Sequence, residues 1–308
     1  MNAIEVTDLT RRFGAFTAVD RLTFNVGQGE IFGFLGANGA GKSTTIRMLC
    51  GLLRPSSGSA RVGGVDVGAD PEGVKRRIGY MSQRFSLYEK LTVDQNIAFF
   101  AGVYGLSGAR RAARRDFALE MADLRGRESM LTRALSAGWR QRLALSCAIL
   151  HEPPIVFLDE PTGGVDPLSR RRFWLLIRDL AAHGTTVLVT THYLDEAEHC
   201  HRVAIITAGK LAALGTVPEL KSVFTGRSIL EVRTAKPMEA MRRLEAMPEV
   251  EKTSVFGTAV HAVLRTQDLL PGTVESRLAS GGLPATCAAV APSLEDVFLD
   301  IAERSVAS

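Results

Sequence analysis

The octapeptide Gly36-Ala-Asn-Gly-Ala-Gly-Lys-Ser43 constrains this chain more than any other stretch. It fits the spacing GxxxxGK[ST], and it lies between an apolar run, Ile31–Leu35, and an apolar-periodic segment that begins at Lys42. Glycines are needed where the backbone must wrap closely around an anion with its N–H groups turned inward. A helix that starts at the end of such a loop adds the partial positive charge of its N-terminus. The pattern predicts a strand–loop–helix unit that grips phosphates, with Lys42 reaching the β- and γ-phosphates and the Ser43 hydroxyl holding Mg²⁺. Gly36, Asn38, Gly39, Gly41, Lys42, Ser43 and Thr44 form the expected binding set. The bland alternative is a glycine-rich turn with a chance Gly-Lys-Ser, and the flanking strand and helix argue against it.

The rest of the first two thirds alternates short apolar runs with helix-period stretches, which predicts an α/β fold. Ile4–Leu9 and Leu22–Val26 read as strands, as does Ile78–Met81. Ile155–Leu158 and Thr186–Val189 have the apolar, β-branched make-up of parallel strands covered on both faces. The region from Val93 to Leu150 reads as mostly helical. Pro167 suits the first turn of a helix that Gly184 stops. After about Lys221 the pattern changes. Strand-like Ile229–Arg233, helical Pro237–Met247, an alternating pair Val250–Phe256 and Ala259–Leu264 around Gly257, helical Leu269–Ala279 and strand-like Ala285–Val290 follow in turn, and a capped helix, Ser293–Ala302, closes the series. That order is the β-α-β-β-α-β of ferredoxin-like domains.

A second signal, this one acidic, follows the apolar run IVFL. Asp159, at the end of a buried strand, is placed to bind Mg²⁺ through water, and Glu160 beside it is a candidate general base for an attacking water. A helix-capping role for this pair before Pro161 is the plain alternative, and the presence of Lys42 in the same chain weighs against it.

With both pieces in view, the chain resembles the nucleotide-binding subunits of ATP-binding cassette (ABC) transporters over about residues 3–222. Gln83 in GYMSQRF is similar to the family's Q-loop glutamine, Leu135-Ser-Ala-Gly-Trp-Arg-Gln-Arg-Leu143 to its signature, Gly164-Val-Asp166 to its D-loop, and His192 in TTHYLDEAE to its switch histidine. Phe13 falls where the family has an adenine-stacking aromatic. The extended likeness is to the branch that exports drugs, polysaccharides and antibiotics, including a C-terminal domain ending PSLEDVFLDIAERS. The resemblance implies a P-loop cassette at 1–222 with a helical insertion at about 84–150, and a small α+β domain at 223–308.

The resemblance also implies chemistry and partners. ATP and Mg²⁺ are the expected ligands, with Ser43, Gln83 and Asp159 toward the metal, and Lys42, Gln83, Glu160 and His192 toward the reaction. Ser136 and Gly138 close over a nucleotide held by a second cassette subunit, taken as another copy of the chain, and Asp166 joins that contact. An integral membrane permease carries the cargo, so the chain is expected at the cytoplasmic face of the inner membrane. Phe85, Leu87 and Tyr88 after the Q-loop are expected to line the groove for a permease helix. The signature departs from LSGGQ at Ala137 and Trp139, and alanine would cost on the order of 1 kcal/mol if that position required positive φ. Gly163 and Val165 replace the usual serine and leucine of the D-loop.

Composition removes other classes. Lys+Arg 37 against Asp+Glu 33 leaves +4, too small an excess for a dedicated duplex-binding protein, so no direct nucleic-acid partner is expected. No run approaches the roughly 20 apolar residues that cross a bilayer, and the start MNAIEVTDLTRR has no basic-then-apolar leader pattern. Cys50, Cys147, Cys200 and Cys287 lie far apart, without a CxxC pair. His199-Cys200-His201 is unsuited to one metal, because adjacent helical side chains diverge by about 100°. The arginines from Arg110 to Arg142 read as solvated faces of amphipathic helices. A soluble cassette working on nucleic acid or ribosomes, and a non-hydrolysing regulatory subunit, remain as rival readings.

Overall fold

The computed structural model describes residues 1–83, 87–266 and 268–306. The chain divides into two compact units, one running from Met1 to Val217 and one spanning Pro218–Glu303.

In the first unit, β1 (Asn2–Phe13) and β2 (Phe16–Gly27) form a long hairpin, and β3 (Ile31–Leu35) leads through the glycine loop into α1 (Lys42–Leu49). Next come β4 (Ser57–Val62), β5 (Val65–Asp66), α2 (Pro71–Lys75) and β6 (Ile78–Met81). Three helices follow, α3 (Val93–Val103), α4 (Gly108–Met121) and α5 (Ala137–Ala148). Then β7 (Ile155–Asp159), α6 (Pro167–Ala182), β8 (Thr186–Thr191) and α7 (Leu194–Ala197) precede β9 (Arg202–Thr207) and β10 (Lys210–Gly215), and α8 (Val217–Lys221) begins at the division between the units.

Two sheets result. The antiparallel one has the order β2-β1-β4-β5, and the larger one the order β10-β9-β3-β8-β7-β6. In the larger sheet every neighbouring pair is parallel except β10 with β9. β3, β7 and β8 are buried at every residue, as expected for parallel strands covered on both sides. Between the sheets, Ile46, Met48 and Leu49 of α1 share a core with Phe24, Phe32 and Phe34. Phe24 stacks on Phe32 at 5.5 Å and meets Phe34 edge-on at 5.1 Å.

β1 is longer than the sequence suggested because its alternation changes phase. The register shifts between Val6 and Leu9, where Asp8 has φ 48°, so Leu9 and Thr10 are buried in succession. A period-2 reading stops at such a bulge. The short β4 and β5 and the helix α7 carry too few residues for a periodicity to register.

Among the three helices, α3 opens with a capping box in which Thr92 and Gln95 bond reciprocally at 3.2 and 2.9 Å. Fully buried Asn96 bonds both Tyr88 backbone groups and the Thr132 hydroxyl, fixing the segment before α3. The arginines on and near α4 are more committed than a solvated face requires. Arg110 and Arg114 share Glu152, Arg114 also donates to the Ile149 and Leu150 carbonyls beyond α5, and Arg115 pairs with Asp94.

In the second unit, β11 (Ser228–Arg233), α9 (Pro237–Glu245), β12 (Val250–Phe256), β13 (Ala259–Leu264), α10 (Pro271–Ser280) and β14 (Thr286–Val290) precede α11 (Leu294–Val306). The sheet order β12-β13-β11-β14, with every pair antiparallel, is the ferredoxin-like arrangement. Leu230, Val232, Val260, Ala262 and Leu264 form an apolar core with Ala240, Leu244, Val274 and Leu278 of α9 and α10. The opposite face carries ion pairs beside buried Ile229 and Val263. His261 meets Asp296 of α11 at 2.8 Å, and Asp300 meets Lys252 at 2.8 Å and Arg227 at 3.2 Å.

Burial raises the Asp296 carboxyl, but hydrogen bonds from His261 and Ser293 outweigh it and hold the group below its ordinary value. Its stabilisation is therefore present above the ordinary carboxylate pKa and is lost as pH falls through the lower folded value. Asp296→Ala should cost the second unit about 1–3 kcal/mol at neutral pH, read by urea unfolding of the full chain. Its deficit against the parent should shrink in acid.

Candidate active site

Parallel pairing brings the C-terminal ends of neighbouring strands to one edge of the sheet. At that edge β6 leads to Gln83, β7 ends in Asp159 and is followed by Glu160, β8 leads to His192, and β3 runs into the glycine loop. Four segments distant in sequence thus meet because their strands are neighbours.

Glu160 is the point of convergence. Its carboxylate meets Lys42 Nζ at 3.3 Å on one oxygen, and Gln83 Nε2 at 3.0 Å and His192 Nδ1 at 3.3 Å on the other. Its backbone has φ 48°, in the left-handed region that costs a non-glycine residue roughly 1–2 kcal/mol. The Glu160 N–H donates to the Thr190 hydroxyl at 2.9 Å, which holds that conformation. Lys42 is 4% exposed. A buried ammonium needs acceptors, and Lys42 finds Gly36 O at 2.8 Å and Ala37 O at 3.2 Å besides Glu160. Glycine is required at 41, where φ is 101° and a Cβ would lie 2.6 Å from Ala18 O.

Asp159, 1% exposed, accepts from Ser43 Oγ at 2.9 Å and from Thr190 Oγ1 at 2.7 Å. Its field is felt below the site. Burial pushes the Tyr80 hydroxyl up to about 12, with Asp159 and then the Cys50 thiol adding to the rise. A serine hydroxyl hydrogen-bonded to a buried carboxylate, with Gln83 nearby, is a hard-oxygen set that fits Mg²⁺ bound by few protein groups plus phosphate oxygens. Among the described residues no three His, Cys, Asp or Glu side chains are grouped to hold a metal by themselves. His199, Cys200 and His201 go separate ways: to Arg178, to packing under Gly33, and to the Ile31 N–H.

The cleft at these groups measures about 420 Å³ and is lined by Asn38, Gly39, Gly41, Lys42, Ser43, Thr44, Gln83 and Glu160 together with Phe13, Phe16 and Ala18. Gly36 stands behind the wall, supplying the carbonyl that Lys42 holds. Phe13 and Phe16 pair across the β1–β2 turn, 47% and 63% exposed, and Arg11 lies 4.6 Å from the Phe13 ring centre. Phe16 escaped the sequence reading. Only the hairpin shows that two aromatics flanking Gly14 open onto one cleft.

Ser136, Gly138 and Asp166 do not line this cleft. Ser136 caps α5, its hydroxyl accepting from Trp139 N at 3.4 Å, and is exposed. Asp166 caps α6 and accepts from Ser169 N at 2.9 Å, and bonding to Ser169 holds its carboxyl below the usual range. Gly138 packs so closely on α6 that a Cβ would sit 2.5 Å from Ser169 Oγ. Within one chain, then, this glycine serves helix packing. Ala137 is the first residue of α5 and carries no positive φ, so the feared strain is absent. The Trp139 ring receives the Arg127 guanidinium at 4.3 Å. After the Q-loop, Leu87 is buried in the core rather than lining a groove, Tyr88 is 49% exposed against Phe99, and Phe85 lies outside the described residues.

The family described as "ABC transporter" matches residues 19–163. The chain is 52% identical over 219 residues to a probable multidrug ABC transporter ATP-binding protein, YbhF, of Escherichia coli K12. That match covers 71% of this chain and 38% of the relative, so the chain spans well under half of that protein. It is 42% identical to the daunorubicin/doxorubicin resistance ATP-binding protein DrrA of Streptomyces peucetius, over 84% of this chain and 77% of the relative. Among solved structures, a dimeric ATP-binding cassette in a post-hydrolysis state with ADP and Pi matches 69% of this chain and 98% of its own, with TM-score 0.63 and 25% identity.

Gly138→Ala should force α5 and α6 apart and destabilise the chain by about 1–3 kcal/mol, read as a lowered Tm. An unchanged Tm would show that the contact with Ser169 yields freely.

Proposed function

The chain belongs to the ATP-binding proteins of ABC transporters, and from that premise we propose that it binds and hydrolyses ATP to drive export through a separate membrane permease. The observation that carries the reading is the convergence of Lys42, Gln83 and His192 on Glu160, beside the Ser43–Asp159 hydrogen bond.

Each group has a task. Lys42 and the inward N–H groups of Gly39, Gly41 and Thr44 take the charge of the β- and γ-phosphates. Mg²⁺ held by Ser43, Asp159 and Gln83 would neutralise charge on the same oxygens. Glu160 accepts a proton from the attacking water, and His192 donates to the γ-phosphate and keeps that water in line. Phe13, with Phe16 beside it, offers an apolar platform for the base, and Asn38 lines the same cleft.

In this reading, the exposed Ser136 at the start of α5 and the N–H of Gly138 serve the nucleotide of a second copy, with Asp166 at the same junction. Charge on the transferring phosphoryl group is then met from two subunits. ATP closes the pair, and hydrolysis with phosphate release reopens it. We take 1–222 as the ATPase domain and 223–308 as an accessory domain, a boundary five residues beyond Val217, where the first compact unit gives way to the second. Among the described residues no helix is long and apolar enough to cross a membrane, and we place the chain at the cytoplasmic face of the inner membrane, held there by its permease. Tyr88 and Phe99 offer that partner an exposed aromatic pair.

Glu160→Gln should lower turnover by about 10²- to 10⁴-fold, the range for loss of a general base, and should elute as a dimer with ATP and Mg²⁺. Wild-type turnover in that variant would overturn the reading. Lys42→Ala should weaken ATP binding by about ten- to a hundredfold, measured by nucleotide titration.

A further inference from the structure

One buried carboxylate in the first unit takes no part in the chemistry just described. Glu196, on α7, is 1% exposed, and its two oxygens reach different segments. One oxygen accepts from the Thr162 hydroxyl and faces Arg170 Nε at 3.4 Å. The other accepts from Thr191 Oγ1 at 2.7 Å. Thr162 lies two residues after Glu160, and Thr191 immediately precedes His192. Both threonines are 1% exposed, so each hydroxyl depends on a protein partner.

The surroundings stiffen this tie. The Thr191 hydroxyl also accepts from Tyr193 N at 2.9 Å, which fixes the backbone on both sides of His192. The Tyr193 ring lies 4.1 Å from the His192 ring and carries the Arg170 guanidinium at 4.1 Å on its face. Arg170 belongs to α6, the helix that follows the Glu160 segment and is capped by Asp166. A misplacement of about 1 Å in a catalytic group can cost on the order of a hundredfold in rate.

We propose that Glu196 is a positioning residue for ATP hydrolysis: it joins the segment carrying Glu160 to the segment carrying His192 and sets the distance between them. The proposal rests on the ATPase reading above. Glu196→Gln keeps the shape and the acceptor toward Thr162 and Arg170, but presents an N–H to Thr191. That hydroxyl already accepts from Tyr193 N, so it must turn to accept a second time and its own proton loses its partner. The tie to His192 is thereby weakened.

The test uses single-turnover ATP hydrolysis by the 308-residue chain. Glu196→Gln should lower the rate by about tenfold and leave the ATP concentration at half-maximal rate within about twofold, in a chain that circular dichroism shows still folded at the assay temperature. On a His192→Ala background the same substitution should cost nothing more, because its effect runs through that histidine. Thr191→Val should reproduce the loss and Thr191→Ser should restore the parent rate. Equal losses from Glu196→Gln with and without His192, or a rate within twofold of the parent, would overturn the proposal while leaving the ATPase reading intact. No ATP hydrolysis by the parent chain, supplied with its membrane partner, would overturn both.

Discussion

Everything at the candidate site depends on the parallel registration of β7, β8 and β3. Asp159 stands opposite Thr190, and Thr191 opposite Leu35, the last residue before the glycine loop. This pairing puts an acidic pair, a histidine and a phosphate-binding turn at one height on one edge of the sheet. Parallel strands need crossover connections, so residues more than a hundred positions apart become neighbours across paired strands. Full burial of the three strands makes the register stiff, because a slip would break the interlocked packing on both sheet faces.

The polar groups at this edge form a connected set. Thr190 serves both acidic residues, donating to Asp159 and accepting from the Glu160 N–H. Glu160 in turn gathers Lys42, Gln83 and His192, and Glu196 ties the flanking threonines together. In a low-dielectric interior each such group is costly alone and well placed only when its partners are present. The positive φ of Glu160 is consistent with this: the strain is tolerated because the surrounding bonds over-determine it.

The second unit shows a different balance. One face of its sheet is closed by α9 and α10 through aliphatic packing, the other by α11 through His261–Asp296 and the Asp300 pairs. Buried ion pairs contribute less to net stability than apolar packing of similar size, but they specify which surfaces meet. Leu294 and Val297 of α11 are buried as well, so its docking combines apolar packing with charge pairs that fix which surfaces meet.

The amino-acid sequence by itself determined the strand–loop–helix that holds Lys42 and Ser43, the acidic pair after β7, and the β-α-β-β-α-β order of the last third. These are local signals, carried by glycine spacing, by apolar runs and by changes of period that need no distant partner. The bulge at Asp8 hid the full length of β1, and no local pattern distinguished Phe16 or Leu87 from their neighbours. What only the tertiary structure decided is which strand ends stand side by side. That choice brings Gln83 and His192 to Glu160, turns Gly138 into a packing residue against Ser169, and makes Glu196 a bridge between two loops. Such pairings are set by the packing of whole elements, and sequence separation carries no record of them.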